Sequence, residues 1–532
     1  MKRQTIQDGI GKALHLMKKK CYLYSHGGVS SKNDIEVRST SPTGSRMIVF
    51  LLFIGNVLLH TWALRTQARP GTDEGLHLYQ AKLMVQGYMP YKDFGMPSHV
   101  PFLLYLNGLV LKFCNFDIFT YHVIYTAWVF FTIFPLFYTV LHFTRSRLAS
   151  TFSVVLFSTF AELVQWDMHL FALRQGSLPF FACFIYFFFV KKKETLSQIF
   201  LSLFSFCLIT NFLISLTFVL AVFLHGCIEH RKSIGEWIKK YVRTYWVFVL
   251  FNCTYFGLIL LIPGSMANFA VQSHIINPYL QRVEAVLGMM PLNWPIFVFG
   301  TLGIFFFIED FVLLSLLTIV TFLIPLFVSG AFGTYQLTVI AVPFAIMGGI
   351  FLHKILLMLS FNEVKSALVR KVVLVRKIVL VSIILFSLYQ TVYSYLSQTI
   401  VFDTTPNFFQ TVRVLEHTPE PLFTLQPIYG LYAHKDLVMH YNVADMRVFR
   451  VMGTNLSYEE YHDIIERSNT VLLESFADQM LPQAIKDEIF QNYDLTYSNG
   501  TERVYVKEDI GEGFHSVGTN RNGSELVCYV TP

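Results

Sequence analysis

Charge is scarce in this chain. Only 14% of its 532 residues are Asp, Glu, Lys or Arg, against 54% hydrophobic, and its mean hydropathy is +0.49. A water-soluble protein of this length could not hide so much apolar surface, so for most of the chain the solvent is lipid. Cysteine is sparse too: seven residues, with no Cys-x-x-Cys pair. That argues against a disulfide framework, and Cys114, Cys183, Cys207, Cys227 and Cys253, in or beside apolar runs, read as small buried hydrophobes. There is no cleavable leader, because the first apolar run begins too late and is too long. No internal repeat or low-complexity tract is evident. A net charge of +6 would suit nucleic acid if the bases shared one surface. They sit instead in short gaps between apolar runs, which is a topology signal and leaves no nucleic-acid partner to expect.

What is present is a series of runs long enough to cross a bilayer core of roughly 30 Å. They lie near 47–64, 118–143, 148–165, 175–190, 196–210, 212–227, 245–263, 293–308, 311–329, 336–352 and 378–398, about eleven in all, with the division between 196 and 227 the least defined. Arg145 and Arg147, Lys191 to Lys193, Arg231 to Arg243 and Lys354 to Lys377 fall in alternate gaps, so those gaps and the basic N-terminus are placed in the cytoplasm. An odd number of spans then puts the C-terminus outside. The chain divides into a basic, disordered cytoplasmic tail (1–46), a transmembrane domain (47–399) with a long first external loop (65–117), and an extracytoplasmic domain (400–532). In that loop, Leu76 to Met84 and Pro101 to Lys112 have the periodicity of helices lying in the interface. A further basic interfacial helix is expected at 354–377. After residue 400 the runs shorten to strand length at 422–425, 470–473 and 503–506, between polar helical stretches at 458–467 and 481–493, which predicts a small α/β domain.

Polar residues gather in the first external loop, beginning with Asp73-Glu74. A carboxylate beside apolar helices is costly and points first to binding or chemistry. It can take the proton of an acceptor hydroxyl or amine as a glycosidic bond forms, and burial would raise its pKa toward the useful range. The structural alternative is a helix N-cap before Leu76.

The loop reads Asp73-Glu74-Gly75-x-x-x-Tyr79, then Gly87-Tyr88-Met89-Pro90-Tyr91-Lys92-Asp93-Phe94, then Pro97-Ser98-His99-x-Pro101. It resembles the first external loop of the GT-C superfamily of integral membrane glycosyltransferases, in the bacterial protein-mannosyltransferase and lipid A aminoarabinose transferase branch. Loop order, many spans and an external α/β tail extend the likeness over roughly residues 47–507. The resemblance implies a GT-C-like multi-pass α-helical fold with a small C-terminal α/β domain. It also implies transfer of a hexosyl or pentosyl group from a polyprenyl-phosphate donor to a lipid, polysaccharide or protein acceptor on the outer face. Asp73 would be the base and Glu74 its support or acceptor ligand, with Glu74 as base a live variant; a single activating carboxylate would give inversion. One departure stands out: where the family often has a His-Tyr element entering a late helix, this chain has Gly333-Thr334-Tyr335-Gln336.

Other residues fall on the same expected face. Asp167, within Gln165-Trp166-Asp167-Met168-His169, is a candidate to bind acceptor or to share a cation with Asp73; a helix cap explains it equally well. His99 joins Asp167 in that candidate set, beside His77 and His169. No cofactor is called for with certainty, and a divalent cation stays open without any His-x-x-x-His spacing to support it. A lipid phosphate needs cationic donors at headgroup depth, for which Arg174, Arg282 and Lys92 are candidates; each could instead be a snorkelling interface residue. Two rival classes remain. A transporter or flippase would carry polar or broken helices at the midplane, whereas here Glu162, Glu309 and Asp310 sit near helix ends. A non-catalytic assembly subunit would tolerate loss of both loop carboxylates. The membrane is that of a bacterial cell, or the endoplasmic reticulum if the source is eukaryotic.

Overall fold

The computed structural model describes residues 42–67, 72–95, 100–160, 175–231, 233–266, 279–328, 334–360, 389, 405–438, 457–508, 514–519 and 525–529. Its contacts divide it into Met1–Ile48 and Val49–Pro532. Of the first unit only the opening turns of the first helix are described; the other elements belong to the second.

The chain is an integral membrane protein built largely from helices: α1 (Pro42–Gln67), α2 (Thr72–Gln86), α3 (Pro101–Phe113), α4 (Ile118–Phe130), α5 (Ile133–Thr144), α6 (Arg147–Ser158), α7 (Leu178–Ile185), α8 (Glu194–Cys207), α9 (Ile209–Glu229), α10 (Ile234–Leu260), α11 (Tyr279–Phe307), α12 (Val312–Val328) and α13 (Ala341–Ser360). Among the described residues five helices are long and apolar enough to cross a membrane, or six if the bent α11 counts as one. Against eleven runs in the sequence, the difference has physical causes. Several runs form apolar helices of only 10–17 residues, and the last, 378–398, lies outside the described residues apart from Tyr389. The uncertain stretch between 196 and 227 breaks at Leu208, whose extended backbone (φ −157, ψ 150) separates α8 from α9. Pro291 and Pro295 interrupt α11, where missing donors and ring clashes end regular helix, and the axis bends by 102°. Glu309 and Asp310 fall in the turn after α11. The basic stretch expected as a helix is described only to Ser360.

Between lipid-embedded helices there is little hydrophobic drive, so close backbone approach carries the packing. Gly303 on α11 shows it: a Cβ there would lie 2.4 Å from the Met347 carbonyl oxygen of α13. Elsewhere the sequence writes its own helix starts. Asp117 accepts from Thr120 N at 2.9 Å to open α4, and Ser146 accepts from Ala149 N at 3.2 Å to open α6. Among the cysteines expected to be buried, Cys183 and Cys207 are buried, Cys114 and Cys227 half-buried, and Cys253 exposed on the lipid-facing apolar helix α10.

The C-terminal region has the expected α/β character. It comprises α14 (Thr405–Leu415), β1 (Leu422–Phe423), α15 (Pro427–Tyr432), α16 (Tyr458–Glu466), β2 (Thr470–Leu473), α17 (Ser475–Met480), α18 (Gln483–Asn492), β3 (Tyr493–Ser498) and β4 (Arg503–Lys507), then a hairpin of β5 (Phe514–Thr519) and β6 (Glu525–Tyr529). The sheet order is β1-β2-β4-β3, with β1 parallel to β2 and the other pairs antiparallel. Every residue of β2 is buried, as an apolar central strand covered on both faces must be. Helix α16 opens with a reciprocal capping box between Ser457 and Glu460.

Candidate functional site

Asp73 and Glu74 lie in the first turn of α2. Backbone N–H groups of a first turn have no helical partners. Beyond them His77 to Leu83 are all buried. An amphipathic interfacial helix would have left one face open; α2 is covered on two sides instead, by α3 and by the C-terminal domain.

On the α3 side the fit is close, with Gly108 set against the Ala81 carbonyl. Helix α3 starts with Pro101, whose fixed φ and missing donor suit a first turn. The orphan N–H of Phe102 donates to Tyr255 Oη of α10 at 3.0 Å. At its own end, α2 stops at Gly87, whose φ of +101 only glycine adopts freely. Gly87 N donates to Met84 O at 3.2 Å and Tyr88 N to Leu83 O at 3.1 Å, which satisfies the last carbonyls. The Pro90-Tyr91-Lys92-Asp93-Phe94 stretch then folds back as a turn. Tyr91 N donates to Phe94 O at 2.9 Å, Met89 N donates to Asp93 Oδ2 at 2.7 Å, and Gln80 Nε2 donates to Gly95 O at 2.9 Å. Asp93 therefore holds the turn, and Lys92 is exposed in it.

On a second face α2 meets residues 428–437. Gly75 abuts Ile428, Leu437 N donates to Tyr79 Oη at 3.1 Å, and Lys82 Nζ lies 2.9 Å from Asp436 Oδ1. Burial pushes the Tyr79 phenol well above its usual range, so the hydroxyl oxygen remains a neutral acceptor. Sequence reasoning marked Tyr79 only as part of a motif and missed Lys82 and Asp436. The two lie 354 positions apart, and no local signal joins them.

Arg282 is buried on α11 and donates from Nη1 to the carbonyl oxygens of Leu326 at 2.9 Å and Phe327 at 3.4 Å, at the end of α12. The guanidinium thus sits at the negative end of a helix dipole. Asp167, Arg174, His99 and Glu162 lie outside the described residues. Gln175, next in chain to Arg174, opens a short 3-10 turn; it is fully buried, and neither amide atom has a partner among the described residues. Among the described residues no three His, Cys, Asp or Glu side chains come together as a metal site.

Two solved structures share the fold along most of the chain. ArnT from Cupriavidus metallidurans bound to undecaprenyl phosphate superposes with a TM-score of 0.58 at 11% identity, covering 87% of this chain and 98% of ArnT. The same protein in the apo state gives 0.60 with equal identity and coverage. The fold resembles that of ArnT. At this identity the likeness is one of fold, and it extends over nearly the whole ArnT chain. No protein-family model matches the sequence, and no curated protein matches it.

Proposed function

We propose that this chain is a membrane glycosyltransferase that moves a sugar from a polyprenyl-phosphate donor to an acceptor on the extracytoplasmic face. One conjunction carries the reading: an acidic pair opens a buried loop helix in a chain whose fold resembles ArnT, a protein seen with undecaprenyl phosphate bound. Asp73 is the base, with Glu74 beside it. The acceptor oxygen or nitrogen attacks the anomeric carbon and gives its proton to the carboxylate. The bond from that carbon to the phosphate oxygen breaks, and its electron pair leaves with the polyprenyl phosphate, so the configuration inverts. Positioned charge aids the leaving phosphate, and Arg174, Lys92 and the Gln175 amide are the donors proposed for it. Asp167 and His99 are proposed on the acceptor side, where they could also hold a divalent cation. The soluble domain lies outside the cell membrane and the N-terminus inside.

The test is transfer from a panel of radiolabelled polyprenyl-phosphate sugars by purified protein. One donor should turn over, and Asp73→Asn should abolish turnover while leaving the protein folded. Full activity in both Asp73→Asn and Glu74→Gln would rule out the pair as the reacting group; no turnover and no donor bound would favour a transporter or an assembly subunit.

A further inference from the structure

Residues 75, 79 and 82 of α2 recur at intervals of four and three, so they line one face of the helix. All three meet the same short segment of the C-terminal domain. A Cβ on Gly75 would fall 2.4 Å from Ile428 Cβ, 2.7 Å from its N and 2.8 Å from its Cα. A backbone so near cannot yield as a flexible side chain tip would. One turn on, Tyr79 Oη accepts from Leu437 N at 3.1 Å, and at the next turn Lys82 Nζ reaches Asp436 Oδ1 at 2.9 Å.

The segment that α2 meets is itself held from behind. Tyr429, next to Ile428, donates its hydroxyl to the buried carboxylate of Glu502, just before β4. Thr411 Oγ1 of α14 and Asn499 Nδ2, the latter at 3.0 Å, donate to the same carboxylate. Leu437 is tied to β1, since Leu422 N donates to Asp436 O at 3.0 Å and Val438 N to Leu422 O at 3.1 Å. The contact face is therefore anchored to the sheet. Gly75 follows Glu74 directly, so any shift of the helix at this face moves the acid pair.

We infer that the C-terminal domain is a clamp on the acid-bearing helix, and that Gly75, Tyr79 and Lys82 are positioning residues for Asp73 and Glu74. The consequence for catalysis rests on the glycosyltransferase reading; the clamp itself does not. A reacting group displaced by about 1 Å can lose about a hundredfold in rate, and a methyl group at residue 75 forces a displacement of that order.

The experiment uses the full chain in nanodiscs, with four variants: Gly75→Ala, Lys82→Glu, Asp436→Lys and the double Lys82→Glu/Asp436→Lys. Three quantities are measured: hydrogen exchange across residues 72–86, the dissociation constant for undecaprenyl phosphate, and turnover of the donor. Gly75→Ala and both single reversals should raise exchange across 72–86. They should lower kcat, by about a hundredfold for Gly75→Ala, and leave the lipid dissociation constant within twofold. The double reversal should restore both exchange and kcat, which a general loss of folding would not do. Exchange that stays at the wild-type level in Gly75→Ala and Lys82→Glu overturns the clamp whatever the enzyme does. Raised exchange with unchanged kcat overturns the positioning role. Absence of turnover by the wild type with every donor would instead remove the glycosyltransferase assignment and leave the exchange result standing.

Discussion

Arg282 Nη1 lies 2.9 Å from the Leu326 carbonyl oxygen and ties the buried guanidinium of α11 to the last turn of α12. A cation at that end satisfies carbonyls that lack helical partners and complements the dipole. An arginine marked in the sequence for lipid phosphate thus has a structural task in the fold.

The Arg282→Met variant keeps much of the apolar stem and loses the donors. Leaving buried carbonyls unpaired costs about 1–3 kcal/mol, so the melting temperature in detergent should fall by several degrees. Affinity for undecaprenyl phosphate, measured well below the melt, should stay at the wild-type value. Weakened affinity at an unchanged melting temperature would support the phosphate role expected for Arg282.

Gln175 has the opposite signature: a fully buried amide with neither atom paired among the described residues. Burying such a group without a partner is unfavourable by about 1–3 kcal/mol. The Gln175→Met substitution should therefore raise the melting temperature. If the amide serves the donor phosphate, the same variant should bind undecaprenyl phosphate several-fold more weakly. Equal affinity in titrations of the two proteins would take Gln175 out of the donor site.

Glu474, at the end of β2, is buried, and one carboxyl oxygen has no partner among the described residues. Burial, with the Glu502 charge adding to it, pushes its carboxyl from 4.5 to about 8. The folded form holds a proton that the unfolded form releases near 4.5. Stability from this group is fully present below that pH and is lost as pH rises through about 8. Exchange protection of β2 should fall between pH 5.5 and 8.5 in the wild type, and Glu474→Gln should flatten that slope. A slope identical in the variant would assign the pH dependence to other groups.

The likeness to ArnT in fold was legible because lipid as solvent leaves a plain record. Apolar runs such as 118–143 and 336–352 read as membrane helices, and a stretch as apolar as Thr470-Val471-Leu472-Leu473 reads as a strand inside a sheet. The acid pair was legible for the same reason: carboxylates stand out where charge is rare. Helix limits written in local chemistry were open to reading too, as the Ser457–Glu460 box and Gly87 show.

The sequence by itself determined the solvent and the class of architecture, and it singled out the acid pair, since each follows from composition or from residues near one another in the chain. Only the tertiary structure decided that α2 is enclosed instead of lying open, that Arg282 closes a helix end, and that Lys82 meets Asp436. Those outcomes depend on which surfaces meet after distant segments are brought together. A contact across 354 positions leaves no periodicity, spacing or local propensity by which it could be read in advance.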